Sequence, residues 1–306
     1  MPNSNQTILL TGSSGFLGAY IKSELEKQGF KVITLGRKNC DIDFDLTKGI
    51  PKIPKGIDFV IHAAGKAHSL PKTEKEKAQF YQTNYNGTLN LLDGIKHSGS
   101  EIKSIIFISS VSVYGLNEGE TIDESYPLLA TDPYGKSKIM AEEAITQYCK
   151  TNPINCSILR LPLIAGKNPP GNLGAMIRAL KKGMYLSIGN AEAKKSMVLA
   201  EDVASLIPEL FNKSGIYNLT DGYHPSFKEL ETSISFHLNK RKPLKINQSL
   251  ANLMAKTGNL LGKKSPFNTK KLKKIQSTLT YSDEKARKEL GWKPHSVIDY
   301  YNQLKG

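Results

Sequence analysis

Thr11-Gly-Ser-Ser-Gly-Phe-Leu-Gly18 is the stretch whose reading decides the fold. It follows residues 6–11 (QTILLT), which read as a buried strand, and opens residues 16–28, whose apolar positions recur at helical spacing. Gly12, Gly15 and Gly18 permit a tight turn, close approach of backbone to a pyrophosphate, and packing of the helix on the sheet. The helix start, with Ser14, Phe16 and Leu17 filling the loop, then offers free N–H groups to an anion. Glycines alone are a weak signal. At the first strand–helix junction of an alternating chain they predict a dinucleotide site.

The alternation continues outward from that loop. Residues 31–35 (KVITL), 58–61 (DFVI), 103–109 (KSIIFIS) and 155–161 (NCSILRL) read as strands, with helices over 85–96 and 134–150 and one more strand at 216–219. Such alternation implies βαβ units and a parallel sheet. The expected fold is α/β, a doubly wound parallel (Rossmann) sheet with a smaller, partly discontinuous α+β substrate lobe. The sheet domain is expected to span 1–165 and 197–222, and the lobe 166–196 and 223–306, where strands thin out and Pro, Lys and Asn rise.

Composition narrows the setting. Of 306 residues, 39% are hydrophobic and 23% charged, ordinary for a soluble domain and too apolar for a disordered chain. No apolar run approaches the ~18 residues of a membrane span. The polar first residues lead straight into a strand, so no signal peptide is expected. Three cysteines without metal-ligand spacing suggest a reducing cytoplasm and no metal. The net charge of +14 is lopsided. Residues 1–165 hold 18 Lys and Arg against 17 Asp and Glu, whereas 166–306 hold 24 against 11. That excess points to an anionic partner or to a solvated lysine face.

The end of the second strand bears on the choice of cofactor. A carboxylate there holds ribose hydroxyls and favours NAD. This chain has Leu35-Gly36-Arg37-Lys38 instead, so NADP is favoured, with Arg37 and Lys38 on the 2′-phosphate. NAD stays open if Asp41 or Asp43 takes the ribose.

Ser109-Ser110-Val-Ser112-Val-Tyr114-Gly115 closes the fourth strand, and Asp132-Pro133-Tyr134-Gly-Lys-Ser-Lys138 opens the next helix. Tyr134 and Lys138 are one turn apart and share a face. A tyrosine base working near pH 7 needs its pKa of about 10 lowered by ~3 units. An ammonium at ~4 Å in a medium of effective dielectric ~20 supplies about 4 kcal/mol, which is enough. Ser110 can hold the oxygen of a carbon that gains or loses hydride.

With these residues the chain resembles the extended short-chain dehydrogenase/reductases of the NAD(P)-dependent epimerase/dehydratase family. The likeness runs through Thr11–Gly18, Asp45-Leu46, His62-Ala-Ala-Gly65, Thr83-Asn84-Tyr-Asn-Gly-Thr88, the Ser110/Tyr134/Lys138 set and Leu290-Gly-Trp-Lys-Pro294. It implies that Tyr134 is the acid/base, that Ser110 orients the substrate, and that Lys138 lowers the tyrosine pKa and binds the nicotinamide ribose. Asp45 and Leu46 would meet adenine. Ala63, Ala64, Gly65, Asn84 and Leu161 complete the cofactor site, Asn84 as a supporting residue or a structural helix polar group.

Departures from the family narrow the reaction. Val111 and Ser112 stand where sugar 4,6-dehydratases carry Asp-Glu, and Ser112 stands where the carbon-deprotonating epimerases carry Cys. A single reversible hydride transfer remains. The resemblance places Ser112, Asn172, Leu173 and Lys195 on a nucleotide-diphosphate sugar, Lys195 replacing an Arg that relatives use on the diphosphate. A lysine keeps that charge but loses the bidentate fork. Leu163 replaces an Asn usual in 4-epimerases.

The first expectation is therefore an NADP(H)-dependent 4-ketoreductase of a nucleotide-linked sugar of the UDP-N-acetylamino type, used in surface polysaccharide synthesis. The second is an NAD-dependent UDP-hexose or UDP-N-acetylhexosamine 4-epimerase. A non-catalytic dinucleotide sensor would usually have lost Tyr134 or Lys138, and a reductase of apolar ketones fits the basic half poorly.

The run Lys263-Lys264 and Lys270-Lys-Leu-Lys-Lys274 exceeds what one small ligand requires. Without interleaved aromatics it predicts no nucleic acid. Substrate steering and a solvated face are preferred to a membrane-surface contact. The family resemblance also allows a homodimer. His62 and His68 read as packing or hydrogen-bonding histidines, Trp292 as an aromatic packing in the lobe, and Cys149 and Cys156 as chemically idle.

Overall fold

The structure, a computed structural model, describes residues 6–67, 71–260 and 268–303. His68 and the Lys263-Lys264 pair lie outside the described residues. Strands and helices are numbered along the chain. The main sheet holds β1 (Thr7–Thr11), β2 (Lys31–Gly36), β3 (Ile42–Asp43), β4 (Phe59–His62), β5 (Ser104–Ser110), β7 (Asn155–Leu161) and β11 (Gly215–Asn218). Their order is β11-β7-β5-β4-β1-β2-β3, and every pairing is parallel.

From β1 the chain winds one way through β2 and β3, then returns to β4 and winds the other way. The switch point therefore lies between β1 and β4, where Thr11 sits beside His62. Ligands of open α/β sheets bind in the crevice at the carboxyl ends of strands at such a point.

Period-two alternation builds a core on each face of the sheet. Ile8, Leu10, Ile106 and Ile108 point to one side and meet Leu17, Ile21 and Leu25 of α1 (Phe16–Lys27). Leu9, Ile105 and Phe107 point to the other and meet Leu91, Leu92 and Ile95 of α3 (Gly87–Ser98), with Ala141 and Ile145 of α4 (Pro133–Thr151). Each such buried side chain contributes about 1.5–3 kcal/mol. Asp132 caps α4 by accepting from the Tyr134 and Gly135 amides, and Pro133 stands at its first turn, where the missing N–H costs nothing.

The expected helix over 85–96 is part of a longer, broken element. α2 (Glu74–Phe80) runs into one turn of π-helix, Tyr81–Asn86, and then into α3. β3 has no counterpart in the sequence pattern, because a two-residue edge strand carries no alternation to read.

A further core gathers Leu173, Met176 and Leu180 of α5 (Gly171–Lys181), Leu230 and Ile234 of α7 (Phe227–His237), and Val297 and Tyr301 of the last helix. Three small parallel pairs lie outside the main sheet: β8 (Leu163–Ala165) with β10 (Met197–Leu199), which packs on this core, β9 (Leu186–Ile188) with β12 (Leu244–Ile246), and β6 (Gly119–Ile122) with β13 (Leu279–Tyr281). Trp292 corrects an expectation. It belongs to the sheet core that also holds Tyr217 and Leu219, and donates Nε1–H to the Thr220 carbonyl at 2.9 Å, with Ala286 and Leu290 packed alongside.

Candidate active site

The glycine loop closes against β4. Gly12 has φ +76°, and a Cβ there would lie 2.6 Å from the Ala64 amide nitrogen. At Gly18 a Cβ would lie 2.0 Å from the Gly12 carbonyl oxygen, so helix and loop touch backbone to backbone. α1 starts at Gly15 with no side-chain cap and no acid in its first turn. Its first amides are therefore available to an anion. Ser14 is exposed, Phe16 half-buried and Leu17 buried in the core.

Behind the loop runs a chain of hydrogen bonds. The Ala64 amide donates to Thr11 Oγ1 at 3.1 Å, Thr11 Oγ1 lies 2.7 Å from His62 Nδ1, and His62 Nε2 lies 2.9 Å from Thr88 Oγ1. Thr88 in turn donates to the Asn84 carbonyl at 2.6 Å. Burial, reinforced by the Lys138 charge, lowers the His62 pKa to about 3, so the imidazole is neutral. His62 is the packing and hydrogen-bonding histidine expected.

Asn84 projects from the π-turn and is 1% exposed. It accepts from the Lys66 amide at 2.6 Å and donates to the Lys66 carbonyl and to Ser137 Oγ. A Cβ on Gly65 would lie 3.2 Å from Asn84 Oδ1 and 3.3 Å from Lys138 Nζ. Gly65, Asn84 and Lys138 thus enclose one small polar space.

Ser110 ends β5 beside Leu161 at the end of β7. Its hydroxyl donates to Ser112 Oγ at 3.1 Å and accepts from the Ser112 amide. The Tyr134 phenol lies near enough to this hydroxyl for Ser110 to act on its pKa. A Cβ on Gly135 would lie 2.7 Å from the Ser112 carbonyl, so α4 approaches this turn only because a glycine follows Tyr134. Ser110 and Ser112 thus lie by the first turn of α4, which carries Tyr134 and, one turn on, Lys138.

The electrostatics differ from expectation. Burial raises the Tyr134 pKa, Ser110 opposes that shift, and Asp132 adds to it. Lys138 Nζ donates to the Ile108 carbonyl at 2.8 Å, and burial lowers its own pKa to about 8 against the pull of Glu142. Burial thus dominates the phenol's shift, while the amine is engaged with a buried backbone carbonyl.

The NAD dependent epimerase/dehydratase family model matches residues 8–219. The chain belongs to that family. UDP-glucose 4-epimerase of Vibrio cholerae is 29% identical over 97% of this chain and 93% of its own length. N-acetyl-alpha-D-glucosaminyl-diphospho-ditrans,octacis-undecaprenol 4-epimerase of Escherichia coli O157:H7 is 28% identical over 78% of this chain and 74% of its own. The crystal structure of UDP-N-acetylglucosamine 4-epimerase from Bacillus cereus covers 98% of this chain and 99% of its own, with TM-score 0.74 and 22% identity.

Other residues singled out for the family's site lie further along the same crevice or in the lobe. Arg37 and Lys38 are exposed at the end of β2. Asp41 is taken up by Thr34, whose amide and hydroxyl donate to it at 2.8 and 2.7 Å, and Asp43 accepts from the Cys40 amide. Burial works to raise the Asp45 pKa, but hydrogen bonds from Thr47 with the Arg37 and Lys48 charges hold it below its ordinary value. Leu46 is buried, and its carbonyl accepts from Asn90. Asn172 is exposed in the first turn of α5, whereas the Leu173 side chain packs into the lobe core. Lys195 donates to the Ser277 carbonyl at 2.6 Å, and burial with the nearby Lys274 charge lowers its pKa to about 8.

Sequence reasoning missed one buried ion pair next to these residues. Glu142 and Arg160 form an ion pair at 2.7 Å with side chains 4% and 3% exposed. Glu142 lies one turn beyond Lys138 and accepts from Ser109, while Arg160 also donates to the Tyr114 hydroxyl at 3.1 Å. The signal was present, since an arginine is the one charged residue in strand 155–161. Among the described residues no group of His, Cys, Asp and Glu could hold a metal, and no helix is long and apolar enough to cross a membrane.

Proposed function

We propose that this protein is a 4-epimerase of sugars carried on a diphosphate, using a nicotinamide dinucleotide. The observation that carries the reading is the grouping of Ser110 and the Tyr134 phenol with the buried Lys138, at the switch point that the glycine loop borders. The relatives favour the second of the two reactions expected from sequence, epimerisation, over ketone reduction. Both curated relatives are named for 4-epimerisation, one of a nucleotide sugar and one of an undecaprenyl diphosphate sugar.

The residues fit a dinucleotide. Cβ atoms at Gly12, Gly18 and Gly65 would fill its cradle. Gly12, Ser14, Gly15, Phe16, Leu17 and Gly18 would border the pyrophosphate, Asp45 and Leu46 the adenine, Ala63, Ala64 and Leu161 the floor, and Lys138 with Asn84 the nicotinamide ribose. A bound dinucleotide would supply reversible hydride transfer at the inverted carbon. Tyr134 takes the proton of the sugar hydroxyl and restores it to the same oxygen. Ser110 donates to that oxygen and Ser112 supports Ser110. The Lys138 charge favours the ionised phenol when it is turned from Ile108 toward the site. Lys195, with Lys274 behind it, would neutralise the diphosphate, and Asn172 would meet the nucleotide-sugar end.

The second reading, an NADPH-consuming 4-ketoreductase, is favoured by the exposed Arg37-Lys38 pair and by the engagement of Asp41 with Thr34. One experiment separates the two. UDP-glucose and UDP-N-acetylglucosamine are incubated with the purified protein, and cofactor content and product are measured. Interconversion without net cofactor use, cut ~10²–10⁴-fold by Tyr134→Phe, supports the epimerase. Stoichiometric NADPH consumption with a 4-keto sugar supports the reductase. Unchanged turnover in Tyr134→Phe refutes both.

A further inference from the structure

Residues 232–282 contain eleven Lys and Arg and no Asp or Glu. Within them, α8 (Gln248–Leu260) is built inside out. Its small residues Ala251 and Ala255 are buried against Leu272, with Ile188 and Ile246 alongside. Its large ones face outward: Leu250, Leu253 and Met254 are 45%, 59% and 40% exposed. A helix of a globular domain ordinarily turns its large apolar stripe inward.

Neighbouring elements extend the same surface. Leu244 of β12 and Leu186 of β9 are register partners, 76% and 39% exposed, and Met184 just before them is 73% exposed. Met184, Leu186 and Met254 border one apolar cavity of about 680 Å³. Lys240, Arg241, Lys242, Lys245 and Lys256 are exposed on these same elements and their connections. The nearby acids are Glu192 in the cavity wall, Glu118, 3.9 Å from Lys273, and Glu231, which is buried beneath β9, bonded to Ser187 and within reach of the Lys245 charge.

We propose that this face docks on an anionic phospholipid bilayer. Leu244, Leu250 and Leu253 would enter the interface, and the flanking lysines would lie at the head groups. Interfacial binding grows with buried apolar area and with attraction of basic side chains to anionic lipid, and this face supplies both. A nucleic acid would use the charge but not the leucines. A second copy on the same face would set lysines against lysines. The proposal does not depend on the reaction catalysed.

Sedimentation of the full-length chain with vesicles tests it. Binding is expected to vesicles of phosphatidylcholine with one-third phosphatidylglycerol, not to phosphatidylcholine alone, and is released at high salt. Lys245→Glu with Lys256→Glu should weaken binding more than ~10-fold, since each basic residue near such a surface is worth about fivefold. Leu250→Asn with Leu253→Asn should weaken it too, with an unchanged melting temperature and unchanged retention on heparin. Absence of binding to the anionic vesicles, or leucine variants that bind as well as the parent, would overturn the proposal. So would leucine variants that change the mass of the lipid-free protein in solution, which would assign the face to a second copy.

Discussion

Replacing Arg160 by methionine removes a cation from the interior and leaves its partner behind. The Glu142 carboxylate receives three contacts from the guanidinium, at 2.7, 3.2 and 3.3 Å, and both side chains are almost fully buried. Its other bond comes from Ser109, a neutral hydroxyl. Breaking a buried pair by removing one partner costs about 3–5 kcal/mol, because an uncompensated charge stays out of water. Tyr114 keeps Asn218 as the acceptor of its hydroxyl at 2.8 Å, so the loss falls mainly on the carboxylate. Removing both charges, in Arg160→Met with Glu142→Leu, takes away the orphan and should cost less than the single change. Urea unfolding of the parent, the single and the double variant measures this directly. A single variant that loses under about 1 kcal/mol, or a double variant as unstable as the single, would refute the reasoning.

Three further outcomes are expected. Gly18→Ala should destabilise the chain by about 1–3 kcal/mol and abolish the thermal shift given by a dinucleotide, because its Cβ would lie 2.0 Å from the Gly12 carbonyl oxygen; melting with and without NAD or NADP checks it. The KM for a diphosphate-linked sugar should rise as pH passes upward through about 8, where Lys195 loses its charge, and Lys195→Arg should flatten that rise. His62 is neutral in the fold with its pKa lowered to about 3, so the unfolded chain takes up the proton first. Its contribution to stability is complete above pH 6.5 and is lost toward pH 3, at up to about 1.4 kcal/mol per unit; urea midpoints across that range should fall less steeply for His62→Gln.

What the sequence disclosed and what it concealed follow from the range of the interactions. Glycines 12, 15 and 18 are legible because their role is local, and β1, β5 and β7 because each is a short segment with adjacent Ile, Leu or Phe side chains in an alternating chain. The Tyr134–Lys138 spacing is likewise a property of one helix. The π-turn that presents Asn84 breaks no hydrophobic period, so nothing in residues 81–86 announces it. The hold of the Ile108 carbonyl on Lys138 depends on how α4 settles against β5, thirty residues away in sequence. Trp292 was misplaced for the same reason: its partner Thr220 is 72 residues distant.

The row of groups from the Ala64 amide to the Asn84 carbonyl begins in an atom that can only give a proton and ends in one that can only receive. Thr88 commits its single hydrogen to Asn84, so His62 must give from Nε2 and receive at Nδ1 from Thr11. Its polarity is thereby one-way. The floor beneath the phosphate loop is wired to the turn that carries Asn84 without any member changing charge. Loading and unloading an anionic guest above it requires no proton to enter or leave that floor.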